Sequence, residues 1–303
     1  MKPDSLRVTT LTEKHETRTI GVARINAAQL DEITTAAAVT EYNTKRMQRV
    51  LGRGEMSFDS EWMGHIGSLD NARRLFSNGW QEGAERASLL RDSIGDVVPN
   101  SVTPRRVRRF SDDGDEIRVE QALRGEWDSA FVCTRKELAP APNVVSIACG
   151  WWASCMVSHE NLLWNAVQAI VICDLLENAG YRVELRALDA IVVAPNKFHI
   201  NQMMMKRADE PLQADLVAAT IGHAGVYRSL GFALECCHKT NTDEVLGSVV
   251  AHEKKEALYA KAIAEQELEP LSYIIPRGDS EAACIRNIKT ALEKLAPTTT
   301  AAH

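Results

Sequence analysis

Residues Asn143 to Leu188 read NVVSIACGWWASCMVSHENLLWNAVQAIVICDLLENAGYRVELRAL. Val144, Val145, Ser146, Ile147 and Ala148 form a short apolar run rich in β-branched side chains, bounded by Pro142 and Gly150. Such a run predicts a strand covered on both faces, as in a parallel sheet. Ser158 offers an N-cap hydroxyl, and Glu160 places a negative charge in the first turn, where the helix dipole favours it. From Leu162 to Leu176 apolar residues occupy every face, interrupted by Asn165, Gln168 and Asp174. A helix of that kind is buried in protein, and it is too short and too polar-interrupted to span a membrane. Gly180 stands where a left-handed residue ends a helix, and Tyr181 to Leu185 begin a second strand. The stretch is one βαβ unit with parallel strands.

Around it, the chain has the balance of a globular protein. Of 303 residues, 45% are hydrophobic and 25% charged, enough to bury a sizeable core. A formal net charge of −6 speaks against general affinity for nucleic acid while leaving a local basic site open. The seven cysteines follow neither a metal-binding nor a disulfide spacing, so reduced thiols in a cytosolic protein are expected. The N-terminal stretch lacks the apolar segment of a secretion signal.

Upstream of the βαβ unit, residues 1 to about 25 are polar and weakly patterned and read as an arm that orders against a partner or a neighbouring subunit. Helices are predicted over Ala27–Val50, over Leu69–Ser77 behind the cap Ser68, and over Glu82–Leu90. The segment TPRRVRRFSDDGDEIRVEQAL predicts a hairpin turning at Asp113-Gly114, with Val107, Ile117 and Val119 inward and charges outward. Residues Glu137 to Asn143 read as a linker. Downstream, Arg182–Ile191 and Phe198–Arg207 predict an antiparallel strand pair. Leu212–Leu234 predicts two short helices broken at Gly222, Gly225 and Gly231. A helix over His252–Leu268, a short strand over Leu271–Ile275 and a closing helix over Ser280–Leu295 follow.

Three segments carry a resemblance: ICDLLENAGYRVEL (Ile172–Leu185), FHINQMMMKRADEPL (Phe198–Leu212) and YRSLGFAL (Tyr227–Leu234). With them, the region from Asn143 onward resembles a von Willebrand factor A-type domain, within that group its cobalt-chelatase CobT-type branch. The resemblance implies an α/β fold over residues 141–296, a doubly wound sheet that is parallel apart from an antiparallel edge strand. Ahead of it come an N-terminal arm and helix (1–55) and a helical region with the charged hairpin (56–140); residues 297–303 read as a disordered tail. Relatives of this kind hold a divalent cation with an aspartate and two hydroxyls in the loop after the first strand. Here Cys149, Trp151 and Ala153 occupy those positions, so no metal and no cofactor are expected. The segments GSLDNARRLFSNGWQEGAERA and FSDDGDEIRVEQALRG are also similar to an uncharacterised domain of bacteriophage and mobile-element proteins.

Candidate sites follow from position and chemistry. Trp151 and Trp152 stand at the carboxyl end of the first strand, where open α/β sheets bind ligands. They are either an exposed aromatic anchor for a protein partner or packing against the sheet, with packing favoured. Arg105, Arg106, Arg108 and Arg109 form the one basic cluster, a candidate for phosphate contacts. Pairing with Asp112, Asp113, Asp115 and Glu116 across the predicted turn is the favoured role. His238 after Cys236-Cys237 is a weak zinc signal, because three consecutive residues do not converge on one tetrahedral ion. His159, His199, His223 and His252 accompany no nucleophile motif, and no phosphate-binding glycine loop occurs, so no catalytic residue is assigned. Met203 and Met205 are expected on a core-facing strand face.

The sequence therefore predicts a non-enzymatic interaction, structural or accessory protein, encoded by a phage or mobile element. It is expected to bind a protein partner or itself without a metal, in the cytoplasm or in a phage particle, and not at a membrane. The alternatives are a nucleic-acid-associated factor using the arginine cluster and, last, an enzyme with an unrecognised site.

Overall fold

The computed structural model describes residues 7–13, 16–25, 30, 58–94, 106–111, 116–136, 144–151, 157–194, 197–232, 234 and 271–295. The expected linker, the helix over Ala27–Val50 apart from Leu30, and the helix over His252–Leu268 lie outside these residues.

The βαβ unit forms as its sequence dictates. Strand β6 (Val144–Gly150) runs parallel to β7 (Arg182–Ala194), with Val145 opposite Val183 and Ile147 opposite Leu185. Between them, helix α4 (His159–Asn178) starts at Ser158, whose hydroxyl accepts the Asn161 N–H at 3.2 Å. It stops before Gly180, which takes φ +94°, a left-handed conformation that side chains with a Cβ resist. Twelve of its residues are buried, and each fully buried Leu, Ile or Val among them contributes about 1.5–3 kcal/mol. Glu177, in the last turn, sits where the helix dipole disfavours a negative charge. Buried Lys206 answers it with an ion pair while donating to the Val183 carbonyl at 2.9 Å.

The fold is α/β, a mixed open sheet with helices against it. Antiparallel β8 (Lys197–Lys206) pairs with β7 and places Met203 in the core with Met205 packed beside it; short β9 (Tyr273–Ile274) lies parallel on the other side of β6. The expected edge position of β8 is corrected by two strands from the N-terminal segment. In place of an arm, β1 (Arg7–Glu13) and β2 (Glu16–Ile25) form an antiparallel pair, and β2 adds parallel to β8. The order is β1-β2-β8-β7-β6-β9.

Helices α1 (Leu69–Asn78) and α2 (Gln81–Ile94) carry Phe76, Ala87 and Leu90 into the same buried cluster as α4, β6 and β7. The core thus crosses the boundary expected at 140–141. Short helices α5 (Ala214–Val217) and α6 (Ala224–Val226) each run on into a π turn, Ala218–Gly222 and Tyr227–Gly231. Helix α7 (Glu281–Leu295) packs on α4.

A separate three-stranded sheet follows a different plan from the expected hairpin. β3 (Arg106–Ser111) and β4 (Glu116–Ile117) do not pair with each other. β5 (Phe131–Lys136) lies between them, antiparallel to both. The short helix α3 (Val119–Leu123) links β4 toward β5.

Candidate functional site

At the carboxyl end of β6, the side chains turn inward. Cys149 is buried, and that burial pushes its thiol up to about 12, so it presents no thiolate to a cation. Trp151 donates its backbone N–H to the Leu188 carbonyl at 2.7 Å, extending the β6–β7 ladder by one residue. Its indole is 1% exposed and packs edge-on against Tyr227 at 6.1 Å. Trp151 is therefore core, and the reading of it as an exposed anchor is corrected. Trp152 and Ala153 lie outside the described residues, as do Cys236, Cys237, His238 and His252.

The loop after β9 is held by amides. Asn165 accepts the Gly278 N–H at 3.0 Å, and Gln168 donates to the Pro276 carbonyl at 2.7 Å. Asn287 of α7 donates to Gln168 Oε1 at 3.0 Å and to the same carbonyl at 3.1 Å. The two amides that interrupt the apolar face of α4 are thus the fasteners of this loop. Asp279, beyond them, is exposed. Among the described residues no group of three or more His, Cys, Asp or Glu is arranged to hold a metal ion.

Three histidines that are far apart in the chain meet at the amino end of α4. His65 and His159 stand edge-to-face at 6.3 Å, and Gly64 lies against both His159 and His223. His223 packs edge-on to Trp80 at 4.8 Å, and its Nδ1 accepts the Gly225 N–H at 3.1 Å, which leaves the ring proton on Nε2. Burial, and secondarily the charge of His159, lower its pKa to about 4. His65 takes φ +54° and donates from Nδ1 to the Asp59 carbonyl at 2.7 Å. Arg228 closes the floor, stacked 4.1 Å from the Trp62 ring centre and donating to the Trp62 and Val157 carbonyls. Arg228, donating both to Trp62 just before Gly64 and to Val157 just before α4, ties these segments together.

The arginine cluster lies on the small sheet, apart from Arg105, which is outside the described residues. β3 carries Arg106, Arg108 and Arg109, and the register sets Arg106 across from Lys136 and Val107 across from Arg135. The acidic strand expected opposite these arginines is not their neighbour, since β5 comes between.

The same unit bears the feature that sequence reasoning passed over. Six large apolar residues are strongly exposed among the described residues, and four of them fall between Ile117 and Trp127. Ile117 is 52% exposed, Val119 60%, Leu123 83% and Trp127 55%, and α3 buries none of its residues. Val119 and Leu123, four apart, share one side of α3, and Trp127 follows beyond the left-handed Gly125 in the turn Trp127–Ser129.

No curated protein and no solved structure matches the chain. A family model described as a domain of unknown function (DUF7192) matches residues 15–296, nearly the whole length, and the chain belongs to that family.

Proposed function

We propose that the chain is a non-enzymatic interaction protein that binds a protein partner through the face formed by Ile117, Val119, Leu123 and Trp127. The exposure of these four residues, close together in the chain, carries the reading. Adjacent apolar side chains held in water are stabilised by association, at about 25 cal/mol for each Å² covered. Tryptophan is moreover among the residues enriched at the anchor points of protein interfaces. The A-type resemblance supports the same reading through a sheet that is parallel at β7-β6-β9 and antiparallel at β8. Partner binding by such a domain would proceed here without an ion, because buried Cys149 stands where a ligand oxygen is needed.

The test is site-specific photo-crosslinking in cells that produce the protein. A photoreactive residue replacing Leu123 should yield a discrete protein adduct, and one replacing Leu89, exposed on α2, should not. Equal labelling from both positions, or none from 123, would overturn the reading.

A second reading is favoured by the β3–β5 register, which adds Arg135 and Lys136 to Arg106, Arg108 and Arg109 on one small sheet. It is a salt-sensitive contact with nucleic-acid phosphates. Reversing the charges of Arg105, Arg106, Arg108 and Arg109 together should then abolish binding to single-stranded DNA; unchanged binding excludes the cluster.

A further inference from the structure

The strand register sorts the basic residues of the small sheet by face, and we infer that the face carrying Arg106, Arg108 and Lys136 binds single-stranded nucleic acid. This rests on the second reading above and names its ligand and its face.

Residues paired across an antiparallel ladder share a face, and faces alternate along each strand. Arg106 stands directly opposite Lys136, Arg108 opposite Thr134, and Phe110 opposite Val132, so these six lie on one face. Val107, Arg109, Phe131, Cys133 and Arg135 take the other face, and Ile117 joins them opposite Phe131. The two faces differ in kind. The Ile117 side is mostly apolar, the composition of a face that packs or meets a protein, and the Arg106 side has the composition of one that meets water. Like charges directly opposite destabilise a strand pair, and a chain of phosphates laid across Arg106 and Lys136 offsets that repulsion. Arg106 and Arg108 are two residues apart in β3, about 7 Å along the strand, a spacing that suits successive phosphates of an extended chain. Glu116, the one acidic strand residue on this face among the described residues, pairs with Val132 at the Phe110 end, away from Lys136. Phe110 decides for single strands. An aromatic residue in line with basic ones stacks on unpaired bases, which a duplex keeps stacked inside itself.

The experiment is fluorescence anisotropy of the purified full chain with a labelled oligothymidylate, and with a duplex of equal length, over a salt series. Wild type should bind the single strand more tightly than the duplex. R106A/K136A should raise the dissociation constant about tenfold or more and flatten the salt slope by about 1.4, two phosphate contacts at about 0.7 each. R109A/R135A removes equal charge from the other face and should raise it about twofold at most. Phe110→Leu, apolar but without a ring, should weaken binding about fivefold or more at an unchanged salt slope, whereas Phe110→Tyr should bind as wild type does. Far-UV circular dichroism confirms that the variants stay folded. Equal losses from the two double variants would overturn the face and leave the nucleic-acid reading standing. A duplex bound as tightly as the single strand, or Phe110→Leu binding as wild type does, would overturn the single strand. A wild type that binds neither oligonucleotide would overturn both this inference and that reading, and crosslinking from position 123 would then leave the protein partner alone.

Discussion

Gln168, in the middle of α4, donates from Nε2 to the Pro276 carbonyl at 2.7 Å, so the helix that follows β6 holds the loop that follows β9. The side chain is 1% exposed and also accepts from Asn287. Gln168→Leu keeps the volume but removes both bonds. It should cost about 1–3 kcal/mol, seen as a lower urea midpoint at unchanged slope. A midpoint equal to wild type would show that the amide network is not a fastener.

Two glycines separate packing from backbone strain. A Cβ on Gly225 would stand 2.5 Å from Ile66 Cβ and from the Met63 carbonyl oxygen, neither of them a flexible end. Gly225→Ala should therefore cost about 1–3 kcal/mol or more through overpacking. Gly125, at φ +76°, has open space around it, and Gly125→Ala pays only the left-handed penalty of about 1–2 kcal/mol. Thermal denaturation should rank the Gly225 variant lower, and the reverse order would contradict the packing of α6 on the turn at Met63.

His223 gives the fold a defined acid limit. Burial, reinforced by the neighbouring charge of His159, lowers its pKa from 6.5 to about 4, so the folded chain resists a proton that the unfolded chain accepts. Stability is fully present above pH 6.5 and falls by about 1.4 kcal/mol per unit as pH drops toward 4, a total of about 3 kcal/mol. Protonation also removes the acceptor for the Gly225 N–H. Urea denaturation between pH 4 and 7 should show that slope in wild type and a flatter one in His223→Asn, whose amide oxygen can still accept. Parallel curves for the two proteins would count against a buried neutral imidazole.

Cys149, Cys173 and Cys284 are buried free thiols, pushed to about 12 or beyond, chiefly by desolvation. In native protein at pH 8 all three should resist iodoacetamide and react after unfolding, as read by peptide mass mapping. Rapid native alkylation of Cys149 would mean that the carboxyl end of β6 is open.

The βαβ unit was legible because its signals are local: an apolar β-branched run, a serine cap, an all-round apolar helix and a glycine stop within 46 residues. What escaped reading was non-local. β2 finds its partner β8 some 180 residues away, and the alternation in Arg7–Ile25 does not name that partner. The Asp113-Gly114 turn favoured pairing its two flanks, yet β5 competes for both and wins. His65, His159 and His223 looked scattered because only the fold of α4 over the Gly64 turn brings them together. The Val119–Leu123 spacing was readable, but periodicity alone cannot say whether a helix face meets a core or water.

Hydroxyl-radical footprinting with mass spectrometry tests, residue by residue, whether Ile117, Val119, Leu123 and Trp127 form a contact surface. Leu123 and Trp127 should oxidise readily in dilute purified protein and become protected in cells that produce the chain, while Leu89 stays equally reactive in both. Equal oxidation of Leu123 and Trp127 in the two settings would contradict such a surface.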